Sequence, residues 1–152
     1  MTVIDDLDRK ILEELQQDGR MTNAALAERV HLSQSACLRR VRRLEESGII
    51  DRYVMLVDPT AAGISSHTFV EITLSSQSDD CLNTFEAAVK SCAEVMECYL
   101  MAGDADYLLR VVAADTAAYE QVHRTLSRLP GVARTRTSFV LRHVSKKTAY
   151  PL

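Results

Sequence analysis

Apolar residues recur at helical spacing in three segments before Gly48. Leu7, Ile11, Leu12 and Leu15 mark a first amphipathic helix, which Gly19 stops. Leu26, Ala27 and Val30 mark a short second helix, with Thr22 and Asn23 able to cap its start. Cys37, Leu38, Val41 and Leu44 share one side of a third helix. Ser33 can cap it, and Gly48 suits the left-handed position that ends it. Only His31-Leu32 separates the second and third helices, which is a tight turn. The chain then changes period: Tyr53 to Val57 is a β-rich run, predicted as a small wing or an exiting strand, and Asp58-Pro59 ends it.

Beyond a Pro-, Gly- and Ser-containing stretch at 58–66, the pattern repeats itself. Leu82, Phe85, Val89 and Cys92 recur as Tyr119, Val122, Leu126 and Leu129, a shift of 37 positions. The same shift carries the strand Thr68 to Leu74 onto Ala105 to Val111, and the strand opening at Val95 onto Val132. Each half reads strand, helix, strand. A doubled unit of this kind predicts a ferredoxin-like βαββαβ sandwich with both helices on one face of an antiparallel sheet. The predicted class is therefore α+β. It has a winged helix-turn-helix at 1–57, a linker at 58–66 and a ferredoxin-like domain at 67–152.

Alternation within the strands separates two faces. Val70, Ile72 and Leu74 should lie under the helices, and Phe69, Glu71 and Thr73 on the open side. In the third strand Leu108 and Arg110 oppose Tyr107, Leu109 and Val111. In the last, Ala133, Thr135, Thr137, Phe139 and Leu141 oppose Arg134, Arg136, Ser138, Val140 and Arg142. An open face mixing Phe69 and Leu108 with Glu71, Arg110 and Arg136 suits a subunit interface, and otherwise a solvated sheet face.

With 152 residues, one medium domain or two small ones can form a core. The formal net charge of -3 does not by itself suggest nucleic acid, but the total hides a cluster: Arg39, Arg40, Arg42 and Arg43. Ser35, Arg39, Arg42 and Arg43 point away from the apolar side of the third helix, with Arg40 on a flank. Arginine's planar fork fits phosphate oxygens and the guanine edge. A helix-turn-helix whose second member carries this face predicts a duplex-DNA recognition helix. The alternatives are a generic three-helix bundle, or a solvated basic face pairing with Glu45 and Glu46. As a DNA reader, Ser35 and Arg39 should meet base edges. Arg40, Arg42 and Arg43 should meet phosphates, and Gln34 either. Thr22, Asn23 and Ser33 sit where helix starts approach the backbone.

Ala102-Gly103-Asp104-Ala105-Asp106-Tyr107 reads as a hairpin turn. It also offers acids for an ammonium and turn N–H groups for a carboxylate, so a free amino acid is a candidate ligand. Cys37, Cys81, Cys92 and Cys98 show no metal or disulfide spacing and read as reduced thiols. Neither a membrane-length apolar run nor a signal-peptide pattern occurs in this sequence, which predicts a cytoplasmic, nucleoid-associated protein. Asp104, Asp106, His67, His123 and His143 form no acid-base or nucleophile set, so no enzyme, cofactor or metal is predicted.

The combined pattern resembles the leucine-responsive/asparagine-responsive (Lrp/AsnC) transcriptional regulators. In the first half it is carried by Leu7-Asp8, Ile11-Leu12, Asp18-Gly19-Arg20, Leu26-Ala27, Leu32-Ser33, Cys37-Leu38, Arg40-Val41-Arg42-Arg43-Leu44-Glu45 and Gly48-Ile49-Ile50. In the second it is carried by Phe69 to Leu74, Glu97-Cys98, Gly103 to Leu109, Leu129-Pro130-Gly131-Val132 and Thr135-Arg136-Thr137. The resemblance implies a regulator of amino-acid metabolism that dimerises through its sheet domain and builds rings, commonly octamers. It also implies an amino-acid effector held between subunits near Met101, Ala102, Gly103, Asp104, Asp106 and Tyr107, with Thr137, Ser138 and Val140 nearby. Close leucine-responsive members tend to carry tyrosine at the position of Ser138 and acids at those of Arg142 and His143. The pocket and its rim should therefore differ from theirs. A ligand-indifferent, DNA-wrapping architectural protein of the same fold is the alternative function.

Overall fold

A computed structural model describes residues 3–152. The chain divides into a helical unit, which runs to Leu56 and takes in Val144–Leu152, and a sheet unit, Val57–His143.

The helical unit holds α1 (Asp6–Gln17), α2 (Asn23–Arg29) and α3 (Gln34–Glu46). Each begins on a side-chain cap. Asp5 accepts from the Asp8 N–H, and Asp8 reciprocates on the Asp5 N–H, forming a capping box on α1. Thr22 caps α2 and Ser33 caps α3. Ile11, Leu12, Leu26, Ala27, Val30, Cys37 and Leu44 are buried together. Leu38 departs from the expected apolar seam and is exposed. It lies one residue beyond Cys37, about 100° further round the helix and off the buried side.

The turn between α2 and α3 has a definite geometry. Leu32 N–H bonds the Ala27 carbonyl at 2.9 Å, His31 N–H bonds the Glu28 carbonyl at 3.2 Å, and His31 has φ +56°. This is a Schellman ending with histidine in the place glycine usually takes. The turn thus sets the angle between α2 and α3 through its backbone bonds.

The expected strand at 53–57 does not form. Val54, Met55, Leu56 and Val57 are exposed, and among the described residues no second strand stands beside them to complete a ladder. The last nine residues, which the sequence assigned to the sheet domain, lie with the helices instead. The Gln16 side-chain amide donates to the Tyr150 carbonyl at 3.2 Å and accepts from the Tyr150 N–H at 2.6 Å.

The sheet unit is β1 (Ser66–Leu74), α4 (Asp79–Val89), β2 (Val95–Leu100), β3 (Tyr107–Ala113), α5 (Thr116–Ser127) and β4 (Val132–Phe139). Its strand order is β2-β3-β1-β4, all antiparallel, which is the ferredoxin-like arrangement. Val70, Ile72 and Leu74 are buried against Phe85, Val89, Tyr119, Val122 and Leu126 of the two helices, as the alternation predicted. The predicted linker is an ordered turn. Ala62 N–H bonds the Asp58 carbonyl, Ile64 N–H bonds the Pro59 carbonyl, and Gly63 has φ +80°. The third strand begins at Tyr107 rather than Ala105, although the Asp106 N–H still bonds the Ile72 carbonyl at 2.9 Å and its carboxylate accepts from the Leu74 N–H. Leu141 falls outside β4 and is exposed.

His31 carries a left-handed backbone that costs an L-residue roughly 1–2 kcal/mol. His31→Gly should raise stability by up to about 1 kcal/mol in urea denaturation, glycine's greater unfolded-state entropy offsetting part of the relief. His31→Val should lower it.

Candidate DNA-reading face and ligand turn

The guanidiniums of α3 fall into two classes. Arg39 and Arg42 are exposed, and among the described residues neither has an acidic partner. Arg40 donates from one nitrogen to Asp5 Oδ2 at 2.7 Å and to Asp8 Oδ1 at 2.8 Å. Arg43 donates to Asp8 Oδ2. Asp8 has 0% exposure, so a buried carboxylate clamps two arginines of α3 to the first turn of α1. Charge-assisted bonds of this kind are short and directional. They fix both the position and the rotation of α3.

The pair with Asp5 persists well into acid. The Asp8 N–H, then the Arg40 guanidinium, hold the Asp5 carboxyl down from 3.8 to about 2. A depressed folded pKa stabilises fully above the unfolded value. That contribution fades as the pH falls from 3.8 towards about 2.

Glu45 does not neutralise the arginine face. It accepts from the Tyr53 hydroxyl at 2.9 Å. Gln34 and Ser35 are exposed near the start of α3, where the Ser33 and Ser35 hydroxyls lie 3.3 Å apart. Ser33 caps α3 through the Ala36 N–H, and Thr22 caps α2 through the Ala25 N–H. Asn23 donates its amide to the Gln34 carbonyl at 2.9 Å, so its side chain joins the starts of the two helices. Ser35, Arg39 and Arg42 remain as side chains with outward reach. The sequence grouped Arg40 and Arg43 with these. It could not show that Asp5 and Asp8, more than thirty residues earlier, would meet them in space.

In the sheet unit the predicted ligand residues are distributed as follows. Met101, Ala102, Gly103 and Asp104 are exposed on the turn between β2 and β3. Asp106 faces inward: one oxygen accepts from the Leu74 N–H and the other from the Gln77 amide, each at 2.7 Å. Tyr107 is buried and donates to Glu86 Oε1 at 2.8 Å; burial, then Glu86, raises its pKa. Asp104 is thus the carboxylate left open on this turn, while Asp106 and Tyr107 shape it. Thr137 lies under α5 in a 2.6 Å hydrogen bond with Tyr119, and Ser138 points to the opposite face.

Register separates these two groups within one chain. The turn adjoins the Leu74 end of β1, whereas Thr137 pairs with Val70 and the Val140 N–H bonds the His67 carbonyl towards the other end. An open groove of about 480 Å³ beside β4 is lined by Thr116, Tyr119, Glu120, His123, Arg124 and Phe139, none of them a predicted ligand residue. Tyr119 and His123 lie one turn apart on α5, and their contacts with Phe139 and Thr135 became legible only once α5 was placed on β4.

On the open sheet face two of the arginines are paired, while Arg134 is exposed with no acidic partner among the described residues. Arg110 pairs with Glu97 at 2.7 Å, and Arg136 with Glu71 at 3.6 Å. Phe69 is left partly exposed between these pairs, with Leu108 half-buried beside it.

A helix-turn-helix with free arginines on its second member, in one chain with a ferredoxin-like domain, is the build of a DNA-binding regulator. Comparison with known proteins agrees. A model of winged helix-turn-helix DNA-binding domains matches residues 4–51, and a model of the Lrp/AsnC ligand binding domain matches residues 67–150. The leucine-responsive regulatory proteins of Salmonella typhimurium and Escherichia coli K12 are each 46% identical over 144 residues, spanning 94% of this chain and 88% of theirs. A transcriptional regulator from Neisseria meningitidis, solved as an L-Met complex, superposes with TM-score 0.93 at 37% identity, over 98% of this chain and 97% of that one. The feast or famine regulatory protein of M. tuberculosis, complexed with L-methionine, gives TM-score 0.88 at 35% identity, over 97% and 99%. The chain belongs to the Lrp/AsnC family of transcriptional regulators, a family of DNA-binding proteins and not of enzymes.

Asp8→Ala removes the carboxylate that holds both arginines. It should cost about 1–3 kcal/mol in chemical denaturation, since Arg40 and Arg43 keep partial access to water.

Proposed function

We propose that the chain regulates amino-acid metabolism by sequence-specific duplex binding, and that an amino acid bound between subunits modulates that binding. The observation that carries the DNA part is the division of the arginines. Arg39 and Arg42 stay free on the outward side of α3, while Arg40 and Arg43 hold that helix in place. In this reading Ser35 and Arg39 meet base edges, Arg42 meets phosphate, and Gln34 serves either. Thr22 and Ser33 flank them at the helix starts, and Asn23 aligns the two helices. A symmetric dimer presents two such helices to major-groove half-sites about 10–10.5 bp apart.

Dimerisation through the open sheet face is supported by the partly exposed Phe69 between the Arg110–Glu97 and Arg136–Glu71 pairs. Further assembly into rings, commonly octamers, follows the family pattern. The effector reading rests on the exposed turn at Met101 to Asp104 and on the relatives solved with methionine. Because Thr137, Ser138 and Val140 lie away from that turn in one chain, a site using both groups takes them from different subunits. The effector acts by linkage: it shifts DNA affinity only by binding two assembly states unequally.

Arg39→Ala should cost about 1–3 kcal/mol on a preferred duplex and relax base preference. Arg42→Ala should weaken all sequences alike and reduce the salt slope by about 1. Equal effects of both on preferred and random DNA would refute this division.

Titration with each of the twenty common amino acids should move the sedimentation profile and the DNA affinity together for at least one. Methionine is the first to try. Indifference of both readouts across the set would remove the sensor reading and favour a DNA-wrapping protein.

A further inference from the structure

One nitrogen of Arg40 lies against two carboxylates, and only one of them is needed to hold α3. Asp8 is buried, receives Arg43 as well, and closes the capping box. Asp5 is different. Its side chain is 50% exposed, and its cap uses only Oδ1, at 2.9 Å from the Asp8 N–H. Oδ2 is the oxygen that reaches Arg40, at 2.7 Å. Asparagine caps helices as well as aspartate does, so the negative charge at this position is not required for the cap.

The charge count makes the consequence plain. Asp5 and Asp8 supply two negative charges, and Arg40 and Arg43 two positive ones, so the cluster is neutral as a whole. Sequence-independent affinity for DNA grows with the number of phosphates that free cations neutralise, each releasing condensed counterions. A guanidinium already facing two carboxylate oxygens gains little by exchanging one of them for a phosphate oxygen.

We infer that Asp5 is a specificity-determining residue: its carboxylate stands at Arg40 in the place of a DNA phosphate and so suppresses non-specific binding. Base discrimination then rests on Arg39, with Arg42 left to phosphate; neither has an acidic partner among the described residues. This inference depends on α3 being the DNA-facing helix, as proposed above.

The test compares Asp5→Asn with Asp6→Asn in the full-length protein. Both remove one negative charge from the first turn of α1, but Asp6 is exposed and has no guanidinium partner among the described residues. Affinity is measured on a random duplex and on a duplex selected by the protein from a random pool, across a salt series. Circular dichroism confirms that each variant is folded. Asp5→Asn should tighten random-duplex binding by about 3- to 10-fold at low salt and steepen the log–log salt slope by about 1 per subunit. It should also narrow the ratio of selected to random affinity. Asp6→Asn should shift both duplexes by one small, equal factor. Equal behaviour of the two variants, or no gain on random DNA with Asp5→Asn, would overturn the inference. Arg39→Ala, run alongside, separates the two failures. If it loses selected-duplex binding while Asp5→Asn is silent, only the role of Asp5 falls. If it too is silent, α3 is not the reading helix.

Discussion

A carboxylate with no exposure to solvent sets the position of the recognition helix. Asp8 accepts from Arg40 and Arg43 and from the Asp5 backbone, so one buried acid is satisfied by three donors. A buried charge left without such partners would be costly, and the arrangement is stable only with all of them present. The result is a helix whose rotation about its own axis is fixed by ion pairs on one flank and by Cys37 and Leu44 beneath. Rotation decides which side chains face outward. The outward face of Ser35, Arg39 and Arg42 is thus a consequence of the contact with α1.

The sheet unit uses a carboxylate in a comparable way. Asp106 binds the Leu74 N–H and the Gln77 amide, which fastens the β2–β3 turn to the end of β1. Its neighbour Asp104 is left outside. In both units an acid turned inward fixes a segment whose nearby charged groups stay available.

This is why the fold was more legible than the site. Periodicity placed the five helices and the four strands, and the repeat at a shift of 37 anticipated the sandwich, since buried faces leave a regular trace. The misplaced pieces were those governed by partners distant in sequence. The run at 53–57 has strand composition but no strand to pair with among the described residues. The last nine residues joined the helices through Gln16. The third strand starts two residues later than the repeat implied, at Tyr107. Arg43 shared the outward side with Arg39 and Arg42, and Arg40 stood only on its flank. Only tertiary structure, by bringing Asp5 and Asp8 to Arg40 and Arg43, distinguished arginines that hold the helix from arginines left exposed without an acidic partner.

A crystal structure of the protein on a duplex selected from a random pool tests the central claim most directly. The account predicts Arg39 on a base edge and Arg42 on a phosphate, with Arg43 still paired to Asp8. A complex in which Arg43 leaves Asp8 for the DNA backbone while Arg39 remains in solvent would contradict it.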